Sequence, residues 1–147
     1  MAFLLDTNVV SELRRPQPNP RVLSWLASTA SVDLHLSVLV AGEIRRGIEL
    51  LRPREPDRAA RLDAWLEGLV ESYADRLIPV SALVADTWGR LSSLRPLPVA
   101  DGLMLATAKV HGLTLVSREA PALADLGVPT FDPWEAIDRG PSGLISP

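Results

Sequence analysis

The sequence predicts an α/β fold: a three-layer sandwich in which helices flank a short, mostly parallel central sheet. Short apolar runs alternate along the chain with longer segments of helical periodicity, a pattern typical of strands joined by crossover helices. The length of 147 residues fits one domain with one core. A hydrophobic fraction of 47% and a mean hydropathy of +0.15 indicate a well-buried globule rather than a disordered chain.

The first half of the chain is predicted to alternate two strands with four helices. The apolar run from Ala2 to Leu5 is typical of a buried strand, and it delivers an acid, Asp6, at its end. Ser37 stands in a capping position before a later helix, and the prolines at 53 and 56 end that helix. In order, we expect a strand at 2–5, helices at 9–14 and around 22–26, a strand at 34–36, and helices at 38–51 and 57–73.

The second half is predicted to add three strands and several helices. Gly112 ends a helix and precedes a fourth apolar strand. In order, we expect a strand at 77–80, helices at 81–94 and from about 101 to 111, a strand at 113–116, a short helix near 122, a small strand near 130 and a helical turn at 134–137. One domain therefore spans 1–137, and residues 138–147 have the composition of a disordered tail.

The composition excludes several classes of protein. The chain has no cysteine, which rules out a disulfide scaffold and thiolate chemistry and suits a reducing, cytoplasmic environment. It shows no long apolar run and no secretory signal, so we expect no membrane association. A net charge of −3 does not by itself indicate a nucleic-acid binder, but an acidic cluster that holds cations reverses its local sign.

Three acids are predicted to converge at the carboxyl edge of the sheet, where ligands bind in folds of this type. Asp6 ends the first strand, Asp101 lies near a helix start, and Glu43 lies inside the helix at 38–51 beside Gly42, a small residue that would permit close approach. Thr7 and Asn8 follow Asp6, and both side chains can hydrogen-bond a carboxylate or a metal-bound water. Two carboxylates about 4 Å apart repel by roughly 4 kcal/mol at an effective dielectric of about 20, so they share protons or hold cations. Oxygen-only ligands favour Mg²⁺ or Mn²⁺, which can activate water for phosphodiester cleavage.

Taken singly, each acid could be a helix cap or a solvated surface charge, but four segments together resemble a known family. The segments LLDTNVVSEL, AGEIRRGIELL, LPVADGLMLATA and GLTLVSRE are similar, in this order, to those of the PIN domain, and most of all to VapC-type toxins. The resemblance covers residues 2 to about 135. It implies a Mg²⁺- or Mn²⁺-dependent endoribonuclease that cleaves RNA, is held inactive by a small antitoxin protein and forms a homodimer. It places Asp6, Glu43 and Asp101 on the family's first three acidic positions.

The chain departs from the family at the fourth acidic position. The family commonly has Thr-Arg-Asn or Thr-Arg-Asp after the last long strand and another Asp soon afterwards, whereas this chain has Ser117-Arg118-Glu119 and then Ala122. We expect Glu119 to be the fourth metal ligand, with Asp125 as a weaker substitute; the structural alternative for Glu119 is a helix-start glutamate. If neither acid serves, a one-metal site remains. The alternative function is a catalytically degenerate PIN-fold module that binds RNA or a protein partner without cleavage.

Contacts with partners are predicted elsewhere on the surface. The helix at 38–51 carries apolar positions beside two arginines, and we expect its far end to line a groove for a helical segment of the antitoxin. The helix at 57–73 or the helix at 81–94 is expected to supply the homodimer contact. The four tryptophans are expected to pack in the core. Candidates for RNA phosphate contacts, if they are not simply solvated charges, are Arg14, Arg15, Arg45, Arg46 and Arg118.

Overall fold

The structure, a computed structural model, describes residues 1–135. Its strands are β1 (Phe3–Leu5), β2 (Leu34–Ser37), β3 (Leu77–Ile78), β4 (Thr114–Val116) and β5 (Thr130–Phe131). They form one sheet in the order β3-β2-β1-β4-β5, and every neighbouring pair is parallel. The predicted α/β fold with a short parallel sheet is therefore confirmed. Part of the predicted turn at 134–137 and the whole predicted tail at 138–147 lie outside the described residues.

The central strand, β1, brings distant parts of the chain side by side. Phe3 pairs with Leu34 of β2 on one edge and with Thr114 of β4 on the other. The ladder continues one residue beyond the strand, since the N–H of Asp6 donates to the carbonyl oxygen of Val116 at 2.9 Å. The carboxyl ends of β1 and β4 are thus fixed next to each other.

Seven α-helices occur in residues 1–135, and none of the helices there is long and apolar enough to cross a membrane. They are α1 (Thr7–Glu12), α2 (Pro20–Ser28), α3 (Val38–Leu51), α4 (Pro56–Ser72), α5 (Ala82–Ser92), α6 (Val99–His111) and α7 (Ala120–Leu123). The start of α1 differs from the prediction: it begins at Thr7 rather than Val9, because the Asp6 carboxylate accepts the N–H of Thr7 and caps the helix.

The start of α6 also differs from the prediction. The helix begins at Val99, two residues before the predicted start, because Pro98 stands at the capping position and its carbonyl accepts the N–H of Gly102 at 3.0 Å. A proline before the first helical residue is compatible with this geometry, since the first helical N–H groups have no partner within the helix. Asp101 therefore lies inside the first turn, where the helix dipole favours a negative charge.

The four tryptophans pack against the core, as predicted. The ring of Trp25 lies between Phe3 and Phe131, with centroid distances of 5.1 and 5.4 Å. Trp88 of α5 lies so close to α6 that a methyl group added at Gly102 would be 2.8 Å from its Cδ1 atom. The glycine thus allows α5 and α6 to approach at the point where α6 carries Asp101.

Ion pairs hold α4 against α3. The carboxylate of Asp63 in α4 accepts hydrogen bonds from Arg45 of α3 and from Arg52 at the end of that helix. The hydrogen bond from Arg45 lowers the pKa of Asp63 most, and the bonds from Arg52 lower it further. Arg45 and Arg52 also share Glu49, so both arginines are engaged within the fold.

Candidate active site

Asp6 lies at the carboxyl end of β1, and its carboxylate is held from two sides. Oδ1 accepts the backbone N–H of Thr7 at 2.7 Å. Oδ2 accepts the hydroxyl of Ser117 at 2.7 Å and, more weakly, the side-chain amide of Asn8 at 3.4 Å. The residue is only 9% exposed. These hydrogen bonds fix the direction of both carboxylate oxygens, as is common for side chains that hold a metal.

Ser117, the residue after β4, links two of the predicted acids. Its hydroxyl donates to Asp6 and accepts the N–H of Glu119 at 3.0 Å. Asn8 bridges the same strand ends: its amide donates to the Ser117 hydroxyl at 3.3 Å, and its Oδ1 accepts the N–H of Arg118 at 3.3 Å. Ser117 is fully buried, so its hydrogen bond to Asp6 is shielded from water. The ends of β1 and β4 are therefore joined by side chains as well as by the sheet.

Glu43 lies on the exposed side of α3 and is tied to the turn between β1 and α1. The hydroxyl of Thr7 donates to Glu43 Oε1 at 2.7 Å, across 36 positions of sequence. Because Thr7 directly follows Asp6, Glu43 lies at the same edge of the sheet. The expected role of Gly42 is wrong, since no atom lies within 4 Å of the place where its Cβ would be.

Asp101, in the first turn of α6, is the acid that the others influence most. Burial raises the pKa of Asp101, and the negative charges of Asp6, Glu119 and Glu43 raise it further. The cause is that the ionised carboxylate is partly desolvated and repelled by its neighbours. Asp6, Glu43 and Glu119 therefore lie near enough to Asp101 for their charges to act on it.

Glu119, rather than Asp125, is the further acid that lies with the other three. Glu119 does stand at a helix start, the capping position of α7, as the structural alternative has it, but its side chain makes no capping hydrogen bond. Asp125 is paired with Arg95, whose Nη2 lies 3.0 Å from its Oδ1. Asp125 also contributes nothing to the raised pKa of Asp101.

The donor set suits a hard divalent cation. The charges that meet at Asp101 are all carboxylates, with no nitrogen or sulfur ligand among them. Within residues 1–135, no three acidic or histidine side chains lie close enough together to form a ready-made cation site. Asp6 is fixed by its hydrogen bonds, whereas Glu43 and Glu119 are exposed. Of the four acids, Asp6 is therefore held rigidly, Asp101 is partly buried, and Glu43 and Glu119 are accessible to solvent.

Ser117 was not among the predicted site residues, although its place in the sequence carried a signal. Ser117 follows β4 as Asp6 follows β1, and neighbouring parallel strands end at the same edge of a sheet. The contact between Thr7 and Glu43 had no comparable signal. It depends on how α3 packs beside α1, which the local pattern does not specify.

The chain is similar over most of its length to a known protein family and to named relatives. A family model described as the PIN domain matches residues 3–121. Toxin FitB of Neisseria gonorrhoeae is 36% identical over 137 residues, which cover 90% of this chain and 98% of the relative. The VapC ribonuclease Y4jK of Sinorhizobium fredii is 29% identical over 139 residues, again covering 90% of this chain and 98% of the relative.

The fold is similar to a solved structure over the same range. The crystal structure of FitAcB from Neisseria gonorrhoeae matches with a TM-score of 0.84 at 36% identity, and the match covers 90% of this chain and 99% of that chain. The family model begins before Asp6 and ends after Glu119, so it spans all four acids.

Proposed function

Since this chain belongs to the PIN-domain family, we propose that it is a divalent-cation-dependent endoribonuclease and the toxin of a toxin–antitoxin pair. One relative is named a toxin and another a ribonuclease. Both are matched over 98% of their length, so the similarity concerns the whole domain rather than a shared fragment.

The observation that carries the proposal is the grouping of four acids: Ser117 and Thr7 tie Asp6, Glu119 and Glu43 to one edge of the sheet. Asp101 faces these three, and its pKa is raised by burial and by their charges. Within residues 1–135, none of the four forms a salt bridge. Carboxylates kept together without a positive partner repel one another, and a bound divalent cation offsets that repulsion. A structural cluster would be expected to include an arginine instead.

The proposed chemistry divides between the cation and the chain. A bound Mg²⁺, or Mn²⁺ in its place, lowers the pKa of a water molecule and stabilises charge on the leaving oxygen of the phosphodiester. Asp6 would hold the cation with oxygens already oriented by Ser117, and Asp101 would hold it from the first turn of α6. Glu43, anchored by Thr7, and the exposed Glu119 would complete the set of ligands.

Calorimetry with Mn²⁺ and cleavage of a labelled RNA test this proposal together. We expect the wild-type protein to bind Mn²⁺ and to cleave RNA only when a divalent cation is present. Asp101→Asn should abolish cleavage and weaken Mn²⁺ binding. Asp75→Asn is the matched control, because the Asp75 side chain is 80% exposed in the turn after α4, in a pair with Arg76. A folded wild-type protein that takes up no Mn²⁺ and leaves RNA intact would favour the non-cleaving binding module.

For the antitoxin, we propose a binding surface on the exposed side of α3. Ile44 and Ile48 face the core, whereas Val38 and Leu50 are 38% and 58% exposed. Glu43 lies on the same helix, so a basic side chain of an amphipathic antitoxin helix would be able to reach the acid cluster. The exposed end of α3 near Leu50 is the part of the helix available for the apolar contact.

For the homodimer, α5 is better suited than α4. Leu83 on α5 is 60% exposed, Leu94 in the connection after it is 70% exposed, and Val99 at the start of α6 is 60% exposed. Among residues 1–135, no large hydrophobic residue of α4 has comparable exposure. A monomeric mass by light scattering at micromolar concentration would contradict dimerisation through this face.

A further inference from the structure

We propose that Arg118 binds a phosphate of the RNA and is held in place for this by the indole of Trp134; the inference rests on the proposed ribonuclease function. The guanidinium carbon of Arg118 lies 4.4 Å from the centroid of the Trp134 ring, which is the geometry of a cation–π contact. In sequence, Arg118 stands between Ser117 and Glu119. Ser117 bonds Asp6, so Arg118 is at the margin of the acid cluster.

Both parts of this pair are fixed by the surrounding chain. The backbone of Arg118 is held because its N–H donates to Asn8 Oδ1 at 3.3 Å. Trp134 is 8% exposed, and its backbone N–H donates to Asp132 Oδ1 at 2.8 Å. Its carbonyl oxygen accepts a hydrogen bond from Arg21 of α2 at 3.1 Å. Because Trp134 is buried and its backbone is held at two points, the position of its indole ring is fixed.

The charge of Arg118 has no acidic partner in the part of the chain that the structure describes. Arg118 is exposed and forms no salt bridge with any acid of residues 1–135, although it directly precedes Glu119. An arginine that served to neutralise the cluster would contact its carboxylates. Stacking covers the face of the guanidinium and leaves the N–H groups around its edge, which match phosphate oxygens in pairs.

Arg118 differs in its surroundings from the other arginines that were predicted to contact RNA phosphates. Arg15 is paired with Glu12, and Arg45 is paired with acids of α3 and α4. Arg14 lies over the ring of Trp65 at the longer distance of 5.4 Å. Arg46 has no aromatic ring beneath it in residues 1–135. Among the five candidates, Arg118 alone combines a close aromatic support, a charge without an acidic partner in those residues, and a sequence position next to an acid of the site.

The test measures binding of a short fluorescein-labelled RNA of mixed sequence by fluorescence anisotropy over a range of salt concentrations. Mg²⁺ is present, and every protein carries Asp101→Asn to prevent cleavage. We expect Arg118→Ala to weaken binding roughly five- to tenfold at low salt, as for one exposed charge-assisted contact. The slope of log affinity against log salt should fall by about 0.7, the value for one phosphate of a single strand.

Two further variants separate the contact from a general effect of charge. Arg58→Ala removes the same charge from an exposed pair with Glu55 at the start of α4 and should leave affinity and slope almost unchanged. Arg118→Lys keeps the charge but loses the planar stack, so it should keep the slope and lose part of the affinity. Equal affinity and slope for Arg118→Ala and Arg58→Ala would overturn the inference while leaving the ribonuclease proposal in place. If the parent protein binds no RNA and the wild type cleaves none, both fail together.

Discussion

At the level of single residues, Glu119 and Asp125 offer a matched comparison for the fourth acidic position. Glu119→Gln is expected to reduce RNA cleavage by about a hundredfold or more, because losing a ligand forfeits several kcal/mol of charge stabilisation in the transition state. Asp125→Asn breaks only an exposed salt bridge with Arg95, so it should cost at most about 1 kcal/mol of stability and leave cleavage unchanged. Initial rates with Mn²⁺ and the Mn²⁺ affinity from calorimetry provide the measurement. Equal rates for Glu119→Gln and the wild type would remove Glu119 from the site.

Asp101 gives the protein a characteristic dependence of stability on pH. Because burial and three neighbouring acids raise its pKa, the folded protein binds the Asp101 proton more tightly than the unfolded chain does. The stabilisation from this proton is fully present below the ordinary value of 3.8 and is lost as pH rises through the raised pKa. In the metal-free protein, Asp101→Asn should therefore gain stability relative to the wild type as pH rises through that window.

Thermal unfolding in EDTA measures this difference. Both proteins are compared at each pH from about 4 to about 7, so that other titrating groups affect them equally. A gap between the two melting temperatures that does not change with pH would show that the neighbouring acids exert no net repulsion on Asp101.

At the level of the elements, the contact between α5 and α6 depends on Gly102. Gly102→Ala would bring a methyl group to 2.8 Å from the rigid ring of Trp88, so the ring or the helix must shift. We expect a loss of about 1–3 kcal/mol in the free energy of unfolding, as for other overpacked contacts. Gly89→Ala in α5 is the control: nothing lies within 4 Å of its added methyl, and helix propensity predicts a gain of up to about 1 kcal/mol. Denaturant unfolding that found Gly102→Ala as stable as Gly89→Ala would contradict the proposed packing constraint.

The elements themselves were largely predictable from hydrophobic periodicity. The helix expected at 38–51 occurs as α3 over that same range. The starts of α1 and α6 were not predicted, because single hydrogen bonds decide them: the Asp6 carboxylate opens α1, and the Pro98 carbonyl opens α6 two residues early. Local propensity does not specify such bonds.

The candidate site was predictable to a similar degree. Asp6 followed from its place at a strand end, and Asp101 from its place near a helix start. The contact of Thr7 with Glu43 joins residues 36 apart, and the support of Arg118 by Trp134 joins β4 to a segment beyond β5. Both depend on the packing of elements against one another, so they become visible only in three dimensions.

At the level of the whole molecule, the proposed toxin activity is expected to appear as slowed bacterial growth. Expression of the wild-type chain alone should slow growth, whereas Asp101→Asn should not. Co-expression of the proposed antitoxin should restore growth, since its helix is expected to cover α3. Leu50→Glu should remain toxic but resist rescue, because Leu50 is 58% exposed at the proposed contact and contributes little to the core. Normal growth despite abundant soluble wild-type protein would count against the toxin proposal.

The central position of β1 has a consequence for the time at which the protein becomes active. Asp6 leaves the ribosome 111 residues ahead of Ser117, yet its N–H pairs with Val116 and its carboxylate with Ser117. Until β4 has been translated, the middle strand of the sheet lacks one neighbour and Asp6 lacks a main support. Domains generally fold as units once enough of the chain has emerged. A nascent chain is therefore expected to be harmless to the messenger RNA that encodes it, and nuclease activity begins only when synthesis of the domain is nearly complete.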